Sequence, residues 1–204
     1  MSDKRENTIV IIISSPSGAG KTTVTKKLLK KIKNSHLAVS CTTRKPRPGE
    51  VNGIDYFFID KLKFKNFQKK RKFIETARIF GNNYGTLKSE LKRKQKKIIF
   101  LDVDWQGARS IRKKIKKNCY SFYLLPPNRM QLKKRLISRH RDNKSVAMKR
   151  FSAAKKDIGF WKEYNHVFIN DKLDVCISKI INKIKNIKTE QDEKEKIINL
   201  VKNF

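Results

Sequence analysis

Near the start of the chain, Ser15-Pro16-Ser17-Gly18-Ala19-Gly20-Lys21-Thr22 has the types and spacing of a phosphate-binding loop, G-x-x-x-x-G-K-[ST], with Ser in the first position. Glycines let backbone N–H groups turn inward around phosphate oxygens, and a helix that starts at the end of the loop adds its positive N-terminus. In such a loop Lys21 reaches the β- and γ-phosphates and Thr22 sits near a Mg²⁺ ion. Ser15 is small, so it weakens the pattern match more than the chemistry. A glycine-rich turn that binds nothing would not need the β-branched run Thr8 to Ser14 before it and a helical pattern from Lys21 to about Lys33 after it.

Two further constellations suit phosphate chemistry. Ile98-Ile99-Phe100-Leu101-Asp102 is an apolar strand that delivers a carboxylate at its end, the arrangement in which an Asp orients a metal ion or its waters. Thr42-Thr43-Arg44-Lys45-Pro46-Arg47-Pro48-Gly49-Glu50 sets two arginines on a proline-stiffened loop. Planar guanidinium forks match a phosphate monoester, although two arginines on such a loop are equally compatible with a solvated surface.

The elements that must position these groups alternate. Strands are expected at Thr8 to Ser14, Leu37 to Ser40, Ile54 to Ile59, Ile98 to Val103, Cys119 to Leu125 and Val167 to Asn170. Helices are expected at Lys61 to Lys70, Leu87 to Lys96, Trp105 to Lys116, Asn128 to Ile137 and Val146 to Glu163, with a helical tail from Leu173. Phe73 to Thr86 is mixed, with a turn signal at Gly81-Asn82, and Ser138 to Ser145 reads as polar and flexible. The alternation predicts an α/β fold in three layers with a mainly parallel sheet. Residues 35–86 read as a lobe inserted into a core made of 1–34 and 87–204.

Composition narrows the function classes. The chain has 204 residues and a formal net charge of +33, from 51 Lys and Arg against 18 Asp and Glu. An excess of that size would ordinarily point to a polyanion, but the Lys residues are spread along helices with abundant Asn and Ile, as in a general compositional bias. No aromatic-plus-basic reading surface accompanies them, so a specific nucleic-acid partner is not expected. Cys41, Cys119 and Cys176 are far apart and do not combine with His36, His140 and His166 into a zinc pattern. Reduced thiols, no export signal and no run long enough to span a membrane predict a cytoplasmic protein.

The blocks SPSGAGKT, VSCTTRKPRPGEVNGIDYFF, FIETARIFGNNYGT, FLDVDWQGARSIR, LLPP and VFIND resemble the guanylate kinase family, from Ile9 to about Asp174. The resemblance implies a P-loop kinase with a core, a GMP-binding lobe and a lid at about 138–147. Its substrates would be ATP and GMP, with Mg²⁺ as cofactor. It assigns Arg44, Arg47, Tyr56 and Tyr84 to the GMP phosphate, and Ser40, Glu75, Thr86 and Asp104 to the guanine. Arg135, Arg139 and Arg150 would contact the triphosphate, and Asn170, in VFIND, joins the ATP-binding set with residues 15–22. A carboxylate such as Glu75 accepts the paired N1–H and N2–H₂ donors of guanine, which adenine lacks, and the hydroxyls of Ser40 and Thr86 can donate to O6.

The lid departs from the family pattern. Ser138 and His140 stand where glycines commonly flank the lid arginine, and Asn143-Lys144-Ser145 replaces acidic residues. The acceptor phosphate, with a second pKa of about 6, is mostly dianionic at neutral pH, so no general base is required. Positioning and charge neutralisation are then the expected means of catalysis. Two alternatives are a P-loop kinase of another nucleoside monophosphate and a non-catalytic module of the same fold. The tail Lys179 to Phe204 reads as an amphipathic helix that packs on the core or on a second copy in a homo-oligomer.

Overall fold

The computed structural model describes residues 8–92, 97–139 and 144–202. In chain order the first half forms β1 (Ile9–Ser14), α1 (Lys21–Lys31), β2 (Ser35–Leu37), β3 (Ser40–Thr42), β4 (Phe57–Phe58), α2 (Lys61–Lys69), β5 (Phe73–Ile79) and β6 (Asn82–Leu87). A 3₁₀ turn, Lys88–Lys92, leads into the second half. There β7 (Ile98–Asp102), α3 (Trp105–Lys114), β8 (Cys119–Leu125), α4 (Arg129–Arg139), α5 (Lys144–Ile158), β9 (His166–Ile169) and α6 (Leu173–Lys202) follow.

Every residue of β1 is buried, and Ile11, Ile12 and Ile13 are fully so. A strand apolar on both faces has to lie inside a parallel sheet with cover on each side. It does: the order is β2-β7-β1-β8-β9, all parallel. Ile9, Ile11 and Ile13 pack with Val24 and Leu28 of α1 and with Cys176, Ile177, Ile180 and Ile184 of α6. Val10 and Ile12 point the other way, onto Ala108 and Ile111 of α3. Helix, sheet, helix is the expected three-layer α/β fold. Each fully buried Ile contributes about 2 kcal/mol of transfer free energy. Up to Lys188, the tail helix turns Ile180, Ile184 and Ile187 onto the core.

The second sheet has the order β4-β3-β6-β5. It is antiparallel at β3/β6 and β5/β6 and parallel at β3/β4. Three expectations for this region are corrected. The single strand Leu37 to Ser40 is two strands in different sheets, because the chain leaves one for the other at Ala38-Val39. Only Phe57–Phe58 of Ile54 to Ile59 is strand, since Gly53 sits at φ 80° and Ile54 and Asp55 turn back onto the carbonyl of Val51. The helix placed at Leu87 to Lys96 is the end of β6 and the short 3₁₀ turn, with 93–96 outside the described residues.

Both crossings between the sheets are pinned by one buried carboxylate. Glu90 accepts from the Val39 N–H at 3.0 Å and lies 2.9 Å from His36 Nε2. Elsewhere Val146 to Glu163 proves to be α5, which starts at Lys144, followed by a 3₁₀ turn at Gly159–Glu163. Helix α4 runs on through Arg139, into the segment read as flexible, and residues 140–143 of that segment lie outside the described residues.

Candidate active site

A cleft of about 480 Å³ opens between the C-terminal ends of the parallel strands and the second sheet. Its floor is the loop after β1. Gly18 and Gly20 have φ of 88° and 92°, the left-handed region that suits glycine. Gly20 is also sterically required, because a Cβ there would come within 2.5 Å of Asn170 Nδ2. It is the N-cap of α1 and offers no side-chain cap, so the helix's first N–H groups stay available to an anion.

Ser15, Pro16, Ser17, Gly18, Gly20 and Lys21 line the cleft, and so does Thr22. Ala19 lies beneath, fully buried. Asn170 does not reach the cleft. It is buried behind the loop, donating from Nδ2 to the Ala19 carbonyl at 2.7 Å. Its own N–H bonds the Leu125 carbonyl, and its carbonyl accepts from Arg135 Nη2 at 3.1 Å. Arg135 thus lies behind the loop as well. Its Nη1 is buried with no hydrogen-bond partner among the described residues.

Lys21 Nζ pairs with Asp102 at the end of β7, and both line the cleft. Among the described residues no three His, Cys, Asp or Glu side chains form a metal cage. Thr22 and Asp102 nevertheless supply hard oxygen donors on the cleft wall. That set suits Mg²⁺, which takes one or two protein ligands and completes its shell with water and phosphate oxygens.

At the opposite end the second sheet contributes a buried polar chain. Glu75 Oε1 accepts from the Thr86 N–H and hydroxyl, each at 2.8 Å, and Thr86 Oγ1 lies 2.8 Å from Ser40 Oγ. Ser40, Glu75 and Thr86 are all buried, on three different strands. Ser40 and Glu75 line the cleft, whereas Thr86 lies behind them as a brace. Burial pushes the Glu75 carboxyl up to about 7; the Thr86 bonds pull it down and the nearby Asp104 raises it. Asp104 caps α3, accepting from the Gly107 N–H at 2.9 Å. The first turn of α3 comes so close that a Cβ on Gly107 would meet Glu75 Oε2 at 2.9 Å.

Between these ends lie Arg44, Arg47, Tyr56 and Tyr84. Glu50 organises the two arginines, accepting from Arg44 Nη2 at 2.9 Å and from the Arg47 N–H at 2.8 Å. The Arg44 guanidinium also lies 5.5 Å from the Tyr56 ring centroid. Burial works against its charge, and Glu50 and Tyr84 more than offset this, so its pKa is raised. Arg44 Nε is buried with no hydrogen-bond partner among the described residues. Arg150, on α5, lines the cleft too. The Arg139 side chain lies outside the described residues.

Three residues join the site without having been singled out in the sequence. Glu50 stood in the arginine loop, where its i+3 and i+6 relation to Arg47 and Arg44 was the available signal. Asp157, half-buried on α5, faces the cleft. Its carboxyl is pushed up to about 6 by burial and by Asp104, against the pull of the Trp105 indole N–H. Phe80 lines the cleft from the β5–β6 turn.

The arrangement can hold two phosphorylated ligands head to head, one on a main-chain cradle and one beneath a base-sized polar pocket. Comparison with known proteins agrees. The family model described as Guanylate kinase matches residues 7–187. The chain is 43% identical over 174 residues to the guanylate kinase of Rickettsia typhi, covering 84% of this chain and 88% of that one. It is 39% identical over 177 residues to the guanylate kinase of Zymomonas mobilis, covering 85% and 82% of the two. The crystal structure of guanylate kinase from Anaplasma phagocytophilum aligns with a TM-score of 0.75 at 28% identity, over 90% of this chain and 87% of that one.

Proposed function

The chain belongs to the guanylate kinase family, and we propose from that premise how its cleft divides the work between its residues. The enzyme transfers the γ-phosphate of ATP to GMP, giving ADP and GDP. The observation that carries the assignment of roles is the pairing, in one cleft, of a glycine cradle with a buried carboxylate that needs hydrogen-bond donors.

Residues 15–22 hold the ATP phosphates, with Lys21 on the β/γ oxygens. Asn170 and Arg135 act from behind, keeping the loop in shape. Thr22, and Asp102 through water, would hold Mg²⁺, which when bound neutralises charge on the β- and γ-phosphates. Arg44, Arg47, Tyr56 and Tyr84 hold the GMP phosphate. Glu75 accepts the guanine N1–H and N2–H₂ pair, Ser40 faces O6, Asp104 closes the edge of the base site, and Thr86 orients Glu75.

The catalytic charge comes from Lys21, Arg150 and Arg139, which draw two polyanions into line and stabilise the transferring phosphoryl group. No side chain has to remove a proton, because the acceptor oxygen is already anionic at neutral pH. Functionally, the second sheet within 35–86 is the GMP lobe, while β2 at its start stays with the core and lid made by 1–34 and 87–204. Lobe closure excludes water, which would otherwise divert ATP to hydrolysis.

ADP production with ATP and Mg²⁺ should be measured against GMP, AMP, UMP and CMP in turn. Turnover with GMP at least about 10³-fold more efficient than with the others is expected. Equal use of a second base would overturn the assignment of Glu75.

A further inference from the structure

The turn between β5 and β6 holds an aromatic residue where a hairpin would ordinarily place Asn. Ile79 pairs with Asn82, so Phe80 and Gly81 are the two loop residues, with φ of 47° and 78°. Both positive values define a type I′ turn, for which Asn-Gly is the favoured sequence. A bulky L residue seldom adopts the first of these positions. Phe80 gains little packing in return, since it is 52% exposed. Its ring instead lies 5.1 Å from the Arg150 guanidinium carbon, within cation–π range. Phe80 sits on the lobe and Arg150 on α5 of the core, and both line the cleft.

We propose that Phe80 is a positioning residue that sets Arg150 for phosphoryl transfer when the GMP lobe approaches the core. The ring is carried on the same hairpin as Glu75, Tyr84 and Thr86, so it travels with the segment that grips GMP. Lobe approach brings the ring's negative face to the guanidinium, which limits the orientations of a long, flexible side chain. Arg150 is thereby held toward the cleft by the acceptor's lobe. This rests on the assignment of Arg150 to the transferring phosphates.

The test uses full-length protein with Phe80→Asn, Phe80→Trp, Arg150→Ala and the Phe80→Asn/Arg150→Ala double variant. Asn suits the turn better than Phe, so Phe80→Asn should melt at the wild-type temperature or above. It should lower kcat about tenfold, with KM for GMP within about twofold. Phe80→Trp, which keeps a cation–π face, should recover most of the rate. In the Arg150→Ala background Phe80→Asn should cost nothing more.

Wild-type kcat in Phe80→Asn would overturn the inference, as would an equal loss with and without Arg150; in either case the role of Arg150 stands if Arg150→Ala alone is slow. Unchanged kcat in Arg150→Ala would remove the role of Arg150, and this inference with it, while GMP-dependent turnover remained.

Discussion

On the proposed assignment, the two ends of the cleft recognise their ligands by opposite means. The phosphate end is main chain: two left-handed glycines, an uncapped helix start and one lysine, all within eight consecutive residues. Backbone dipoles cannot be titrated away, and they require no buried charge. The base end is side chain. Ser40, Glu75 and Thr86 arrive on three strands, and burial holds the Glu75 pKa near 7 against the pull of the Thr86 hydrogen bonds. A site for phosphate, which every nucleotide carries, can be generic and permanent. A site for one base has to hold a buried carboxylate ready for that base, which costs stability while the pocket is empty.

Breaking either end separates the two strategies. The largest loss is expected from Lys21→Ala, which removes the one mobile charge in the cradle and releases Asp102. GMP-dependent ADP formation should fall by about 10³-fold or more, with GMP binding by calorimetry little changed. Glu75→Gln should lower kcat/KM for GMP by about 10²–10³-fold while leaving KM for ATP alone.

The same variant should be more stable than the wild type. The folded carboxyl holds its proton up to about 7, against an ordinary 4.5. The folded state therefore binds the proton more tightly, and stability is lost as pH rises from the ordinary value through the folded one. Glu75→Gln removes that loss, raising unfolding free energy at pH 8 by on the order of 2 kcal/mol in a urea titration. In the wild type, KM for GMP should rise several-fold between pH 8 and 6.5 as Glu75 takes up its proton, and Glu75→Gln should flatten the profile. A flat wild-type profile would mean that Glu75 stays ionised in the empty pocket.

Asn170→Ala should raise KM for ATP about tenfold and lower stability by about 1–2 kcal/mol, since it unties the Ala19 carbonyl from behind. The smallest effect belongs to Lys26→Ala. Lys26 pairs with Asp55 at 2.8 Å, across core and lobe, but its side chain is 57% exposed. Its loss should shift stability by less than about 0.5 kcal/mol, and less still in high salt.

Legibility in the sequence follows the same division. The strand-loop-helix of the phosphate end is local, so β1, the loop and α1 could be read from residues 8–33, and β8 from its apolar run at Cys119–Leu125. The lobe is not local. Strand β3 is three residues long and follows a change of sheet at Ala38-Val39, which no periodicity records. At Thr86 a linear sequence does not tell a ligand contact from a brace one layer behind. The same holds for Asn170, which braces the glycine loop from behind. Asp157 was hidden in a Lys-rich helix whose cleft-facing side depends on where α5 docks, and Phe80 looked like one more apolar strand residue until the turn placed it over Arg150.

The bond from Asn170 to the Ala19 carbonyl joins residues 151 positions apart. During synthesis the glycine loop emerges early, yet its rear support arrives only after β8 and β9 have been made and paired. A nascent chain that has not reached that point has the motif without a finished shape. By the roughly tenfold loss expected for Asn170→Ala, ATP should be held more weakly until the last core strand has been made.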